Sequence, residues 1–295
     1  MNSKILILFL VLVLIGGGIF LVKKEKVLEN QSSIGKEENL KVEEEKIESE
    51  KKEKILETKE KEAPEITLIS VYDNYQVNPE LKTAWGFGMV IETPNEIILF
   101  DAGSNPNILL FNMKELEIDP KSIDKVVISH IHSDHLGGLE GFLKENSKVK
   151  VFIPASFPDS VRKMIKSYGV DFVNISNPTK ISDFIFSTGE LYGPPKEQSL
   201  VIDSKKGLIV ITGCAHPGIV KVVKKAKEMF PQKEVYLVLG GFHHPPKKVV
   251  YELKKLKVKK VAPSHCSGDE IRELFKKEYQ NDFIENGVGK IINIE

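Results

Sequence analysis

Four short segments of the chain contain all seven of its histidines and both of its cysteines. The first, HIHSDH at 130–135, places three histidines and an aspartate within six positions, and the others lie at 213–216, 242–244 and 264–266. Histidines that filled the core or the surface would be scattered instead. Imidazole nitrogen, carboxylate oxygen and thiolate sulfur are the ligands that zinc takes in proteins. The clustering therefore predicts a metal site rather than a set of polar turns.

The spacing within HIHSDH suggests ligands for two metals. His130 and His132 are two residues apart, so both side chains point to one side of an extended segment. Asp134 and His135 follow where the chain must turn, and they can face a neighbouring point. Two metals ~3.5–4 Å apart can clamp a tetrahedral or phosphoryl transition state. We therefore expect a metal-bound hydroxide to act as the nucleophile at neutral pH.

Apolar strands precede the segments that could carry these ligands. Asp101 follows EIILF, His130 follows KVVIS, Gly213-Cys214 follows LIVIT, and His265 follows KKVAPS. Loops at the carboxyl ends of strands commonly carry the function of layered α/β folds. We expect the four strand ends to meet at one edge.

The remaining pattern from residue 63 onward predicts a layered α/β domain over residues 63–295. Further strands are predicted at ITLISVY, GMVIET, KVFIPA and EVYLVLG, and several predicted strands are apolar enough to be fully buried. Helical patterns occur between the strands, at 138–145, 158–168, 218–229, 246–256 and 269–278.

The HxHxDH pattern after an apolar strand resembles the metallo-β-lactamase superfamily. ILFDAG at 98–103, the strand LIVITG and the late His265 support the resemblance, which covers about residues 65–295. It implies an αββα sandwich with the metals at one edge of two paired sheets. The residues that it implies as ligands are His130, His132 and His216 for a first metal, and Asp134, His135 and His265 for a second. Asp101 would orient a ligand by hydrogen bonding.

One position departs from the superfamily pattern. A bridging aspartate often follows a glycine at this point, whereas this chain has Gly213-Cys214. Cys214 could bind as a thiolate, or water alone could bridge the metals. We expect two zinc ions, with Mn²⁺ or Fe²⁺ as alternatives.

A narrower resemblance involves TGCAHPGIV (212–220), EQSLV (197–201), GGFHH (240–244) and PSHCSG (263–268). These segments look like the 7,8-dihydropterin-6-ylmethyl-4-(β-D-ribofuranosyl)aminobenzene-5′-phosphate synthase-like subgroup. The resemblance implies work on a phosphorylated pterin precursor in methanopterin synthesis. The chain departs from it where Trp85-Gly86-Phe87-Gly88 replaces a His-Gly-Leu-Ser stretch, and where HIHSDHLGG replaces an HGHYDHTGG-type core.

These patterns favour a metal-dependent hydrolase acting on an ester, phosphoester, lactone or amide. Asp134 is expected to position the hydroxide, and His243 to contact the substrate or a metal. A synthase-like activity and a non-catalytic metal-binding scaffold are the alternatives. The 42 basic residues balance 42 acidic ones, so we expect a small-molecule substrate and no nucleic-acid partner. The sequence predicts no oligomeric state.

The N-terminal residues predict a membrane anchor. Residues 5–22 are uncharged and, as a helix, would extend roughly 27 Å, close to the thickness of a bilayer core. A cleaved signal peptide is the alternative for residues 1–22. Residues 23–62 contain 11 Lys and 13 Glu, which predicts a charged linker or helical stalk. Because N-terminal apolar segments most often direct export, we expect an extracytoplasmic domain, although the lysines after the span favour the opposite orientation.

Overall fold

A computed structural model describes residues 63–295, which form two β-sheets. The larger sheet has seven strands in the order β13-β1-β2-β3-β4-β5-β6. Its strands are β1 (Ile66–Tyr72), β2 (Gly88–Glu92), β3 (Ile97–Phe100), β4 (Lys125–Val127), β5 (Lys150–Pro154), β6 (Phe172–Ile175) and β13 (Ile291–Ile294).

The second sheet has six strands in the order β12-β11-β10-β9-β8-β7. Its strands are β7 (Thr179–Lys180), β8 (Ile185–Ser187), β9 (Leu200–Ser204), β10 (Gly207–Thr212), β11 (Val235–Gly241) and β12 (Lys260–Ser264).

Helices cover the outer face of each sheet. Against the larger sheet pack α1 (Pro106–Glu115), α3 (Leu139–Glu145) and α4 (Asp159–Ser167), with the single-turn α2 (Ser133–Leu136) at its edge. Against the second sheet pack α5 (Ile219–Met229), α6 (Lys248–Lys255) and α7 (Asp269–Tyr279).

The alternation of side chains along each strand creates the layers. On β10, Ile209 and Ile211 point into the core between the sheets, whereas Leu208 and Val210 pack against the helices outside. Both faces of the strand are therefore buried, which explains its unbroken apolar sequence. The predicted αββα sandwich is confirmed.

Parallel pairing brings the strand ends to one edge of the molecule. In the second sheet Thr212 lies opposite Gly240, and Gly240 lies opposite Pro263. In the larger sheet Phe100 lies opposite Val127. Within each sheet the loops after β3 and β4, and after β10, β11 and β12, therefore start from matching levels. The sequence predicted this arrangement for β3, β4, β10 and β12.

The eight strands predicted from the sequence are present, but the sequence analysis missed β6, β7, β8, β9, β13 and helix α1. Within residues 63–295 no helix is long and apolar enough to cross a membrane. The predicted anchor at 1–22 and linker at 23–62 lie outside the described residues.

Candidate metal centre

The loops at this edge bring the predicted ligands into direct contact. His130 Nε2 lies 3.2 Å from His132 Nδ1, and the ring centres of His130 and His216 are 4.7 Å apart. The ring of His135 lies 4.1 Å from that of His130 and 5.0 Å from that of His265. Residues more than 80 positions apart in sequence thus form one cluster of imidazoles.

Three groups of side chains in residues 63–295 have ligand atoms within 4.8 Å of one another. They are Asp134, His135, Cys214 and His265; His130, Cys214 and His216; and Cys214, His243 and Cys266. His132 belongs to none of these groups, but its ring centre is 4.8 Å from those of both His130 and His216.

Cys214 is common to all three groups. Its Sγ lies 3.2 Å from His135 Nε2 and 3.2 Å from Cys266 Sγ. The thiol is therefore within reach of the donors predicted for both metals, at the sequence position where the superfamily pattern has an acid. The hydrogen bond between these two free thiols raises the pKa of Cys214, with burial adding to the effect, and lowers the pKa of Cys266.

The buried carboxylate of Asp101 orients two of the imidazoles. Asp101 Oδ2 lies 2.7 Å from His135 Nδ1 and accepts a hydrogen bond from Ser129 Oγ at 2.7 Å. Ser129 Oγ is in turn 2.9 Å from His130 Nδ1. With Nδ1 bonded in this way, Nε2 of both rings is directed into the cluster, as is typical of metal-binding histidines.

Glu197 fixes the loop that carries Cys214 and His216, and the sequence analysis did not identify it as a site residue. Its Oε1 accepts hydrogen bonds from the N–H groups of Cys214 and Ala215 at 2.9 Å, and its Oε2 accepts one from His216 at 2.8 Å. Burial raises the pKa of Glu197, although these bonds counteract the effect. The only signal in the sequence was an acid at the start of EQSLV.

His265 has two partners that were also missed. Its Nδ1 lies 2.8 Å from Asn74 Oδ1, and its N–H donates to Asp73 Oδ1 at 3.2 Å. Burial raises the pKa of Asp73 to about 6. Both partners follow β1, about 190 residues before His265, so no local pattern indicated them.

The electrostatics favour neutral imidazoles at the His216 side of the cluster. Burial, followed by the neighbouring imidazoles, holds the pKa of His130 well below its ordinary value and lowers that of His216 to about 4. Burial opposes ionisation of Asp134, but His265 and His135 outweigh it, so the pKa of Asp134 is low. Metals require neutral imidazole and ionised carboxylate.

Backbone strain is concentrated at the site. Asp101, Ala215, His243 and His265 all have positive φ, between 47° and 59°, although none is a glycine. Such conformations cost of order 1–3 kcal/mol each and persist where surrounding contacts enforce them. Three of these residues, Asp101, His243 and His265, have side chains that contact the imidazole cluster.

The donor set fits a divalent metal. His216 Nε2 is buried without a hydrogen-bond partner, and His265 Nε2 lies 3.3 Å from Asp134 Oδ2. Packing nitrogen, sulfur and carboxylate lone pairs this closely is unfavourable unless a cation lies among them. Together the groups offer the imidazole, carboxylate and thiolate donors that suit zinc, and the carboxylate comes from Asp134 alone.

His243 and His244 have different surroundings. The ring centre of His243 lies 4.2 Å from that of His216. His243 and His216 both line a cavity of about 450 Å³ beside the cluster. A hydrogen bond with Cys266 is the main cause that raises the pKa of His243. His244 is exposed, its ring packs over Gly268, and it belongs to none of the three metal groups.

Known proteins resemble the chain over this whole region. It is 31% identical, over 280 residues, to the 7,8-dihydropterin-6-methyl-4-(β-D-ribofuranosyl)-aminobenzene-5′-phosphate synthase of Methanocaldococcus jannaschii, covering 77% of this chain and 95% of that one. Ribonuclease Z of Pediococcus pentosaceus is 28% identical over 50% of this chain and 49% of its own length. A solved metal-dependent hydrolase of the β-lactamase superfamily superposes with a TM-score of 0.65 at 25% identity, covering 77% of this chain and 98% of that one.

The family profile of the metallo-β-lactamase superfamily matches residues 86–265, the span from the Trp85 loop to the last predicted ligand. Members of this superfamily generally bind divalent metals such as zinc. The fold, the clustered donors and the relatives agree, and the chain belongs to the metallo-β-lactamase superfamily.

Proposed function

We propose that this chain is a metal-dependent hydrolase of an ester, phosphoester, lactone or amide. The observation that carries the proposal is the position of Cys214, whose thiol is within reach of the donors predicted for both metals. His130, His132 and His216 would hold one cation beside it, and Asp134, His135 and His265 a second. Zinc suits these donors, and Mn²⁺ or Fe²⁺ are the alternatives.

A bound divalent cation would supply a Lewis acid and lower the pKa of a water molecule towards neutrality. Asp134 is ionised and half-buried, so its carboxylate can orient the attacking water. Asp101 keeps His135 in one tautomer through the bond to Nδ1. His243 lies at the border between the cluster and the cavity, where it can contact the substrate.

The test is an activity screen on the purified full-length chain, stripped with a chelator and reloaded with zinc, manganese or iron. Phosphodiester, phosphomonoester, lactone and amide substrates are assayed together. We expect turnover only in the reloaded protein. His132→Ala should lower kcat/KM by 10² or more, because one ligand of the first metal is lost.

The matched control is His244→Ala, which removes an exposed histidine outside the metal groups and should retain the wild-type rate. A metal-loaded wild type with no turnover on any substrate would favour the scaffold alternative instead. Equal loss in both variants would contradict the assignment of His132.

A second candidate is synthase-like activity, which is favoured by the identity to the M. jannaschii synthase over nearly its full length. The test mixes a dihydropterin that carries a diphosphate leaving group on its 6-methylene with a ribofuranosylaminobenzene 5′-phosphate. Chromatography follows both the condensation product and the released diphosphate. Product formation without activity in the hydrolase screen would replace the first proposal with this one.

A further inference from the structure

Both cysteines of the chain meet at the candidate metal centre, although they lie 52 positions apart. The two Sγ atoms are 3.2 Å apart, both thiols are free, and each residue is only 3% exposed. Cys214 belongs to the donor groups of both predicted metals, whereas Cys266 belongs only to the group with His243. The proposed chemistry therefore gives Cys214 a role and leaves Cys266 without one.

The loops that carry the two thiols are held by hydrogen bonds. The N–H of Cys214 donates to Glu197 Oε1 at 2.9 Å, and the carbonyl of Cys266 accepts the N–H of His244 at 2.9 Å. Gly241 on β11 contacts both loops, since an added Cβ would lie 2.7 Å from Cys266 Sγ and 3.2 Å from Cys214 Cα. The glycine therefore leaves the space in which the two sulfur atoms meet.

The distance between the thiols suits formation of a disulfide. The S–S bond of a disulfide is ~2.05 Å long, so the two sulfur atoms are about 1 Å from bonding distance. The cavity of about 450 Å³ is lined by Ala215 and His216, which directly follow Cys214. His243 also lines it, and the N–H of His243 donates to Cys266 Sγ at 3.3 Å. A small oxidant can therefore approach the pair from this cavity.

We infer that Cys214 and Cys266 form a reversible disulfide when a peroxide enters the site, and that this bond withdraws Cys214 from the metal centre. Cys266 reacts first, because it is not among the donors of the predicted metals. Its sulfur attacks one peroxide oxygen, the O–O bond breaks, and the departing hydroxide leaves as water with the thiol proton, which produces a sulfenic acid.

The second step closes the disulfide. The Cys214 sulfur attacks the Cys266 sulfur, and the S–O bond breaks as the S–S bond forms. The departing hydroxide takes up a proton, from Cys214 or from solvent where Cys214 is a thiolate, and leaves as a second water. The two sulfur atoms together lose two electrons, and these reduce the peroxide to two molecules of water.

The disulfide would remove a metal donor. Zinc binds the thiolate form of cysteine, and a disulfide sulfur carries no such charge. Oxidation would thus remove the one side chain common to both metal groups, while the imidazoles and Asp134 remain. We therefore expect peroxide to lower zinc affinity and a dithiol to restore it. The loss of zinc rests on the metal centre of the proposed function, whereas formation of the disulfide does not.

The zinc-loaded full-length chain, treated with hydrogen peroxide, tests the inference without an assay of turnover. Both free thiols should disappear, and digestion should yield two peptides that are joined through Cys214 and Cys266 and separated by dithiothreitol. A chromophoric chelator should capture most of the zinc after oxidation and little of it before. Reduction followed by fresh zinc should restore the original metal content.

Cys266→Ser is the matched variant, because it keeps the donors of both predicted metals, and it should hold its zinc through the same treatment. Persistence of both thiols in the treated wild type, or disulfides only between separate chains, would overturn the inference. Retention of zinc by the disulfide form, or equal zinc loss from the two proteins, would also overturn it. If the disulfide forms and zinc is released in a protein without turnover, the inference stands and the proposed function fails.

Discussion

The carboxylate of Glu197 accepts the backbone N–H of His216 at 2.8 Å, from a position 19 residues earlier in the chain. The same carboxylate binds the two preceding N–H groups, so it stabilises the entire turn after β10. A buried acid used in this way determines where the Cys214 thiol and the His216 ring point.

Glu197→Gln should therefore destabilise both the fold and the site. The amide can accept at one end only, and its NH₂ group then faces the N–H of a neighbour. Replacing a buried charged hydrogen bond costs about 1.5–3 kcal/mol, which urea unfolding would show as a lower midpoint. Zinc content should fall in parallel. Exposed Glu145→Gln is the control, and equal midpoints in the two variants would contradict the role of Glu197.

Cys214→Ser should weaken binding of both metals, because Cys214 belongs to the group of His130 and to the group of His135, and a hydroxyl is a poor substitute for thiolate with zinc. Metal content after dialysis against a chelator should fall from about two equivalents towards zero. Cys266→Ser removes a thiol that belongs only to the group with His243, so the groups of His130 and His135 keep all their donors and should retain zinc. Retention of two equivalents by Cys214→Ser would show that water alone bridges the metals.

Asp101→Asn should lower zinc affinity 10–100-fold, as measured by competition with a chelating dye. The amide oxygen cannot accept from His135 and from both donors of Ser129 at once. His135 and His130 would then lose the bonds that orient them. Asp159→Asn, at an exposed helix end, should leave the affinity unchanged. Comparable affinity loss in both variants would indicate a general charge effect.

Gly213→Ala should disrupt the site by steric overlap. The added Cβ would lie 2.2 Å from Ser129 Oγ and 2.7 Å from Asp101 Oδ2, which are buried and hydrogen-bonded. We expect loss of zinc and a lower thermal midpoint. Gly169→Ala meets no atom within 4 Å and carries only the strain of φ +73°, about 1 kcal/mol. A Gly213→Ala protein with normal zinc content would disprove the overlap.

The ligand residues could be predicted from the sequence because metal chemistry permits few residue types. His130 to His135, Cys214, His216 and His265 stood out by type and by their place after apolar strands. The buried strands β3, β4, β10, β11 and β12 were predictable for a related reason, since burial on both faces produces unbroken apolar runs. The short strands β7 and β8 and the edge strand β13 carry no such signal.

The sequence by itself determined the family, the sandwich fold and the set of candidate ligands. Only the tertiary structure decided how they combine. Cys214 is shared between ligand groups because β10 and β12 flank Gly241, whose missing side chain leaves room for the two thiols to meet. Glu197 and Asn74 acquire their roles through contacts across 19 and 191 positions. The spacing of residues along the chain predicts only local geometry. Partners such as Glu197 and Asn74 reach the site only when the sheets pack.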